Sequence, residues 1–477
     1  MNEIIENRLN IVRNDLMNPP DLVVREIENE NFCGAVAYLS GLINTEELEN
    51  SVLRPLVENK KIIFYGFKEL ASKISYGGVL KEIAENEMKS AVVSGSAVII
   101  TENTIIEAAL KKTEARSIAE PPTNSVIKGP REGFNEEIRT NLSMLRKRVK
   151  SEFLTVEEMI VGEVTKTKVQ IVYLRNVVND KIIVRIKQKI SAYKIDGIID
   201  SSYLARFLED KPYSLFKQVG NSEKPDIIAE RLLDGKVAVL VDGSPIALVL
   251  PFLLFEDFED SQDNYKRPLR ATFLRYVRFF GALCALLLPA LFVAVQLHQF
   301  QLLPLELLIT ILKETDKTPF SPTLEMLIAL VLFEILGEAS IRMPRHVGMA
   351  LSVVGAIVLG ETAVSAGLLS SITILVVAIS GIGLYAVPDE VGTIGILRVL
   401  FVIIANFFGI FGILVLSLML LGYITALGSY GVPYLMPLAP VNAKELGNVI
   451  FKKSLLDIFM RPAEYMLKNK RKIKKVK

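Results

Sequence analysis

The sequence predicts an α+β cytosolic region of two mixed α/β subdomains, related by a weak internal repeat, followed by an α-helical polytopic membrane bundle. Three observations carry that fold class. Charge is divided along the chain: residues 271–441 hold 7 Lys/Arg and 9 Asp/Glu, whereas all 477 residues hold 55 and 53. No single class of protein mixes those compositions. The same charge-poor region contains five apolar runs, against about 20 apolar residues needed to span a bilayer as a helix. Finally, residues 94–103 (SGSAVIITEN) parallel residues 234–243 (DGKVAVLVDG) at an offset of 140. In both, a helical pattern enters a Gly, then a strand, an acidic turn and a second strand.

Taken in order, residues 1–17 read as a helix that Asn18-Pro19-Pro20 stops. Strand patterns follow at 21–27 and 31–40, helical patterns at 46–58 and 76–90, then strands at 91–101 and 104–110 around Glu102-Asn103. Residues 116–134 form the clearest boundary, punctuated by Pro, Gly and Ser. A helix at 135–150, strands at 157–164 and 168–174, and helices at 180–193, 201–208 and 224–233 follow. A hairpin at 236–241 and 245–250 turns on Asp242-Gly243-Ser244. The expected domains are 1–115, 116–265, a transmembrane region at 266–441, and a basic tail at 442–477.

The run 279–297 is preceded by Lys266, Arg267, Arg270, Arg275 and Arg278, which places its start on the cytoplasmic side. The tail, with 11 basic and 3 acidic residues, places the other end there too. An even number of crossings is therefore expected. The remaining runs, 323–341, 347–368, 369–387 and 394–427, bring the count to five, against that parity. Residues 302–312, with Pro304 and Glu306, read as a re-entrant or interfacial piece. The expectation is four to six crossings, an even count favoured.

Within the runs, Glu334, Glu338 and Arg342 recur every four residues and share a helix face. That face is either an ion path or inter-subunit seam, or the polar side of an interfacial helix. Residues 347–368 are rich in small side chains (Gly348, Ser352, Ala356, Gly360), which permits close helix approach. One face of that run, Ala350, Val354, Val358 and Glu361, is the candidate pore lining. Asn406 is expected to hydrogen-bond between helices.

An enzyme is not expected: the chain has no nucleophile–base set, metal spacing or phosphate loop. No cofactor is implied. Cys33 and Cys284 give no disulfide framework, and His298 and His346 are the only histidines. The first 30 residues lack an apolar signal segment, so the charged region is expected to stay cytoplasmic. Gly129-Pro130-Arg131-Glu132-Gly133-Phe134 lies in the boundary segment as a candidate assembly hinge, its glycines freeing the backbone. The alternative is a tight corner in which Arg131 and Glu132 pair.

An ordered set of motifs resembles the A subunit of bacterial spore germinant receptors, the GerA family. They are the Gly129–Phe134 segment, Val241-Asp242-Gly243-Ser244-Pro245, Glu338-Ala339-Ser340-Ile341-Arg342-Met343-Pro344, Gly360-Glu361-Thr362-Ala363-Val364, and Gly431-Val432-Pro433-Tyr434-Leu435-Met436-Pro437. The resemblance runs from about Asp21 to Pro440, and leaves out the loop Pro388-Asp389-Glu390-Val391-Gly392. It implies an integral protein of the spore inner membrane with both termini cytoplasmic, and a homo-oligomer, a pentamer. Implied partners are a transporter-like B subunit, a lipoprotein C subunit and membrane lipid, with no nucleic acid. The implied output is a germinant-gated ion channel. A channel-like paralogue from dipicolinate release and a non-conducting scaffold remain as alternatives.

Overall fold

The protein is seen as a computed structural model that describes residues 3–29, 32–58, 66–110, 129–342, 357–358, 360–442, 451–453, 460–462, 465 and 467–472. The first subdomain begins with α1 (Glu3–Leu16), whose Ile5, Leu9, Val12 and Leu16 form one buried stripe. Its sheet comprises β1 (Leu22–Asn29), β2 (Phe32–Leu39), β3 (Leu80–Glu82), β4 (Ala97–Thr101) and β5 (Ile105–Ala108). Short helices α2 (Thr45–Leu48), α3 (Arg54–Glu58), α4 (Phe67–Lys73) and α5 (Met88–Val93) complete it. The strands are antiparallel in the order β1-β2-β4-β5-β3.

The second subdomain repeats that plan. Its strands are β6 (Leu154–Val161), β7 (Thr167–Leu174), β8 (Gly220–Ser222), β9 (Val237–Val241) and β10 (Ala247–Leu250). Its helices are α6 (Ile138–Arg148), α7 (Asp180–Ser191), α8 (Ser201–Leu208) and α9 (Pro225–Leu233). The sheet order, β6-β7-β9-β10-β8, is the first order with each strand number raised by five. The repeat reaches single residues. Gly95 and Gly235 both take positive φ (89° and 90°) at a helix end. Each amide bonds back to the helix, Gly95 to Val92 and Gly235 to Leu232. Strand alternation then buries both faces. Val98 and Ile100 face the α1/α5 layer and Ile99 the other. Correspondingly, Ala238 and Leu240 face α6 and α9, whereas Val237, Val239 and Val241 face α7 and α8.

Some expected elements change. The helix expected at 76–90 is instead irregular chain carrying the three-residue edge strand β3, a turn of 3₁₀ helix and only the start of α5, because pairing with β5 outweighs local propensity. Residues 91–93 belong to α5 rather than to a strand, since Gly95 ends the helix two residues later. Edge strand β8 carries no alternating pattern to betray it.

The apolar region holds α10 (Pro268–Leu297), α11 (Leu305–Thr315), α12 (Pro322–Arg342), α13 (Ser371–Leu384) and α14 (Val391–Thr425); residues 357, 358 and 360–365 are also helical. By length and composition, Pro268–Leu297 and Pro388–Thr425 are long and apolar enough to cross a membrane. The second is not one rod. Gly409 takes φ 56°, ψ −145° inside it, a conformation that is costly for residues with a Cβ. Thr393 donates to the Leu215 carbonyl and the Tyr423 hydroxyl bonds Ser214 Oγ. A straight helix would hold those two ends about 45 Å apart. A Cβ on Gly412 would come within 2.8 Å of Ile404 Cγ2, so α14 is two antiparallel arms folded at Gly409. The run expected at 394–427 thus folds back on itself instead of forming one rod.

Candidate functional site

The charged side chains that matter most lie where the second subdomain meets α10. The end of α9 supplies Arg231 and the start of β9 supplies Lys236. A 3₁₀ turn at Leu254–Phe258 supplies Glu256, with Glu259 just beyond it. A second turn at Ser261–Asn264 supplies Asp263, and the first turns of α10 supply Arg275 and Arg278. Glu259 bridges the two bodies: its carboxylate accepts from Arg231 at 3.0 Å and from Arg275 at 2.8 Å. Asp263, buried, takes a bidentate contact from Arg278, both bonds 2.9 Å. Arg278 also donates to the Phe258 carbonyl at 2.7 Å, and the Phe258 ring stacks on Phe279 at 4.2 Å between centroids. Lys236, 1% exposed, pairs with Glu256.

These charges are held far from their free values. Burial alone would raise the Glu259 carboxyl, but Arg231 and Arg275 outweigh it and hold it at about 2. Burial pushes the Lys236 ammonium down to about 8 even though Glu256 faces it. Lys217 is pulled the other way. Burial lowers it, yet Asp257 at 2.6 Å and Asp389 at 3.4 Å together raise it. Beside this network is a cavity of about 540 Å³. Residues of β8, β10 and the 252–262 segment form one wall, on the side of the second subdomain, and Tyr385, Ala386, Pro388 and Asp389 form the wall on the helix side.

A second fastening comes from the far end of the chain. After α14, strands β11 (Gly428–Ser429) and β12 (Val432–Pro433) make a tight hairpin through Tyr430 (φ 54°) and Gly431 (φ 85°). Ser429 Oγ accepts from Phe252 N and donates to the Gln218 carbonyl. The Tyr430 ring enters the core beneath α7 and α8, its hydroxyl donating to the Leu208 carbonyl at 2.9 Å. Lys189 and Arg185 lie against that ring at 4.9 and 5.5 Å. Tyr434 is fully buried against Phe216 and Phe252. Leu467 then returns to the opposite face, packing where a Cβ on Gly235 would fall.

The hinge motif lies along this same subdomain. Phe134 is buried in its core and bonds Glu223 through its backbone. Glu132 pairs with Arg148 rather than with Arg131. A Cβ on Gly129 would strike the Tyr265 ring at 2.8 Å, so its lack of side chain lets the segment pass over the entrance to α10. Among the intramembrane candidates, Glu338 and Arg342 pair with each other and are exposed. Glu334 turns instead to Arg398 of α14, 3.1 Å away and 1% exposed. Glu325, buried, accepts from the Ser370 amide ahead of α13, and Asn406 accepts from Thr323. Val358 and Glu361 are exposed, while Ala350 and Val354 lie outside the described residues. Sequence reasoning missed Arg398, Lys236 and the Ser429–Tyr430 plug. A lone Arg in an apolar run was the available signal for the first.

The family model described as Bacillus/Clostridium GerA spore germination protein matches residues 10–464. Spore germination protein KA of Bacillus subtilis (strain 168) is 33% identical over 441 residues, covering 91% of this chain and 81% of that protein. Spore germination protein GerLA of Bacillus cereus is 31% identical over 470 residues, covering 96% and 93%. The crystal structure of the N-terminal domain of the A subunit of the Bacillus megaterium spore germinant receptor GerK3 aligns with a TM-score of 0.42 at 26% identity. That alignment covers 52% of this chain and 95% of the other.

Proposed function

This chain belongs to the GerA family of spore germination proteins, and on that premise we propose that it is the A subunit of a nutrient germinant receptor. In this reading it assembles as a homo-oligomer, a pentamer, in the spore inner membrane and forms or gates an ion channel. A transporter-like B subunit and a lipoprotein C subunit are its partners, and lipid surrounds the helices. Six crossings fit the chain: α10, α12, the stretch between Arg342 and Ser370, α13, and the two arms of α14. Both termini then lie on the cytosolic side, in keeping with the basic residues before α10 and in the tail.

The observation that carries the reading is the double fastening of one soluble body to the bundle. The second subdomain grips the entrance of α10 through Glu259 and Asp263, and the exit of α14 through Ser429 and Tyr430. Such a body passes its displacement to the helices, which is what gating requires. The pore is assigned to the run 347–368, on the face of Ala350, Val354, Val358 and Glu361. Val358→Phe is expected to abolish ion release from germinating spores while the detergent-solubilised oligomer keeps its size. Normal release in that variant removes this helix from the pore, and a monomer in detergent overturns the channel reading.

A further inference from the structure

The cavity at the junction contains more acceptors than its own donors can satisfy. Arg231 is engaged by Glu256 and Glu259, and Arg278 by Asp260 and Asp263. That leaves Glu223, Asp257 and Asp389 along the lining, with Lys217 shared between the last two. Asp257 is 3% exposed at its side chain, lines the cavity, and its Oδ2 has no hydrogen-bond partner. Glu223 Oε2 is likewise buried without a partner. Behind Asp257 lies Glu390, 3% exposed; no N–H donor reaches its carboxylate, and it is close enough to the Asp257 carboxyl for the two to share a proton. A buried acceptor without a donor is costly, and more so when it carries charge.

What would satisfy these groups is positive charge bearing N–H donors. Among the described residues no three or more metal-binding side chains converge on one point. The carboxylates are instead spread along a space of about 540 Å³, a small-molecule volume rather than that of a bare ion. The rest of the wall suits a carbon skeleton: Ile227, Ile246 and Val249 are aliphatic, and Phe252 and Tyr385 are aromatic. Phe252 already faces one ammonium group, that of Lys217, at 5.1 Å. We propose that this cavity is a binding site for a small organic cation, a protonated primary amine. Its ammonium group sits on Asp257, its aliphatic part lies along Ile227, Ile246 and Val249, and Glu223 adds a second negative charge to the wall. Burial, with the Glu390 carboxyl hydrogen-bonded beside it, holds the Asp257 carboxyl well above its ordinary range despite Lys217. A cation at this point takes the role that a proton otherwise fills. Because the walls come from both the soluble subdomain and the 385–389 corner, occupancy fixes their separation.

The chain has no Trp, so Tyr385→Trp in the full-length protein in detergent gives a single indole reporter on the cavity wall. The probe is n-butylammonium chloride, with n-butanol and potassium chloride at matched concentrations as controls. The expected result is a saturable change in indole emission with n-butylammonium alone. Asp257→Asn on that background weakens the apparent affinity at least tenfold, and Glu223→Gln weakens it by a smaller factor. Arg206→Gln, outside the cavity, leaves it unchanged. Three results each overturn the proposal: no saturable response, an equal response to n-butanol or to potassium chloride, or full affinity in both acidic-residue variants.

Discussion

At the scale of single residues, Glu259 joins the second subdomain to α10 through Arg231 and Arg275. Its native pKa, about 2, lies below the ordinary glutamate value of about 4.3. As pH falls, the unfolded chain therefore takes up the proton first, and stability is lost. The contribution is whole above about pH 5 and disappears as pH falls from about 4 through 2. Glu259→Gln is expected to cost about 2–3 kcal/mol at neutral pH, since it strands Arg231 and Arg275 with one fewer anion. In thermal melts of the detergent-solubilised protein, the gap between Glu259→Gln and the native chain should close over that acid range. A gap that does not change with pH would assign the loss to packing. Little of this could be read from sequence. Arg275 was visible as a basic residue before an apolar run, but Arg231 was not singled out, and the convergence of the two on one carboxylate depends on how two turns fold.

At the scale of elements, strand alternation and helix stripes were legible wherever one period dominated. The 140-residue offset between β4 and β9 preserves even which face each side chain takes. The 394–427 run was not legible in the same way. It is apolar throughout, and Gly409 is one of several glycines in it, so nothing local marks a fold-back. The fold-back shows only in the structure, in the Gly409 backbone, the approach of Gly412 to Ile404 and the contacts of the two ends. A bismaleimide of about 10 Å is expected to join Thr393→Cys to Tyr423→Cys within one chain, on a background with Cys33 and Cys284 replaced by Ser; a straight helix, with about 45 Å between those positions, gives no such product. Likewise, the Gly431–Pro437 motif was visible as a string of residues, but its task was not. Tyr430 becomes a plug only because α14 returns its end to the second subdomain.

At the scale of the whole molecule, the two subdomains are held together by charge more than by shared core. Arg146 on α6 is 2% exposed and grips Asp21 of the first subdomain with bonds of 2.6 and 2.8 Å. Arg175 adds a bond to the Asp15 carbonyl, and Lys89 bridges Asp15 and Glu152. Arg146→Ala is expected to weaken docking by about 3–5 kcal/mol, because it leaves Asp21 in a buried place without its partner. Calorimetry should then resolve separate transitions for the two subdomains where the native chain gives one. An unchanged single transition would show that other contacts set the docking.

The contact of Leu467 with Gly235 has a mechanical meaning when set beside the Ser429–Tyr430 plug. The chain leaves the second subdomain at α10, runs through every helix of the bundle, and comes back to the same body twice. It is a closed frame whose first and last struts are pinned to that subdomain. α12 is tied to α14 through Thr323 and Glu334, so it hangs from the frame rather than from the subdomain. A twist of that subdomain therefore cannot be absorbed at either pinned strut. It emerges as shear among the struts suspended between them.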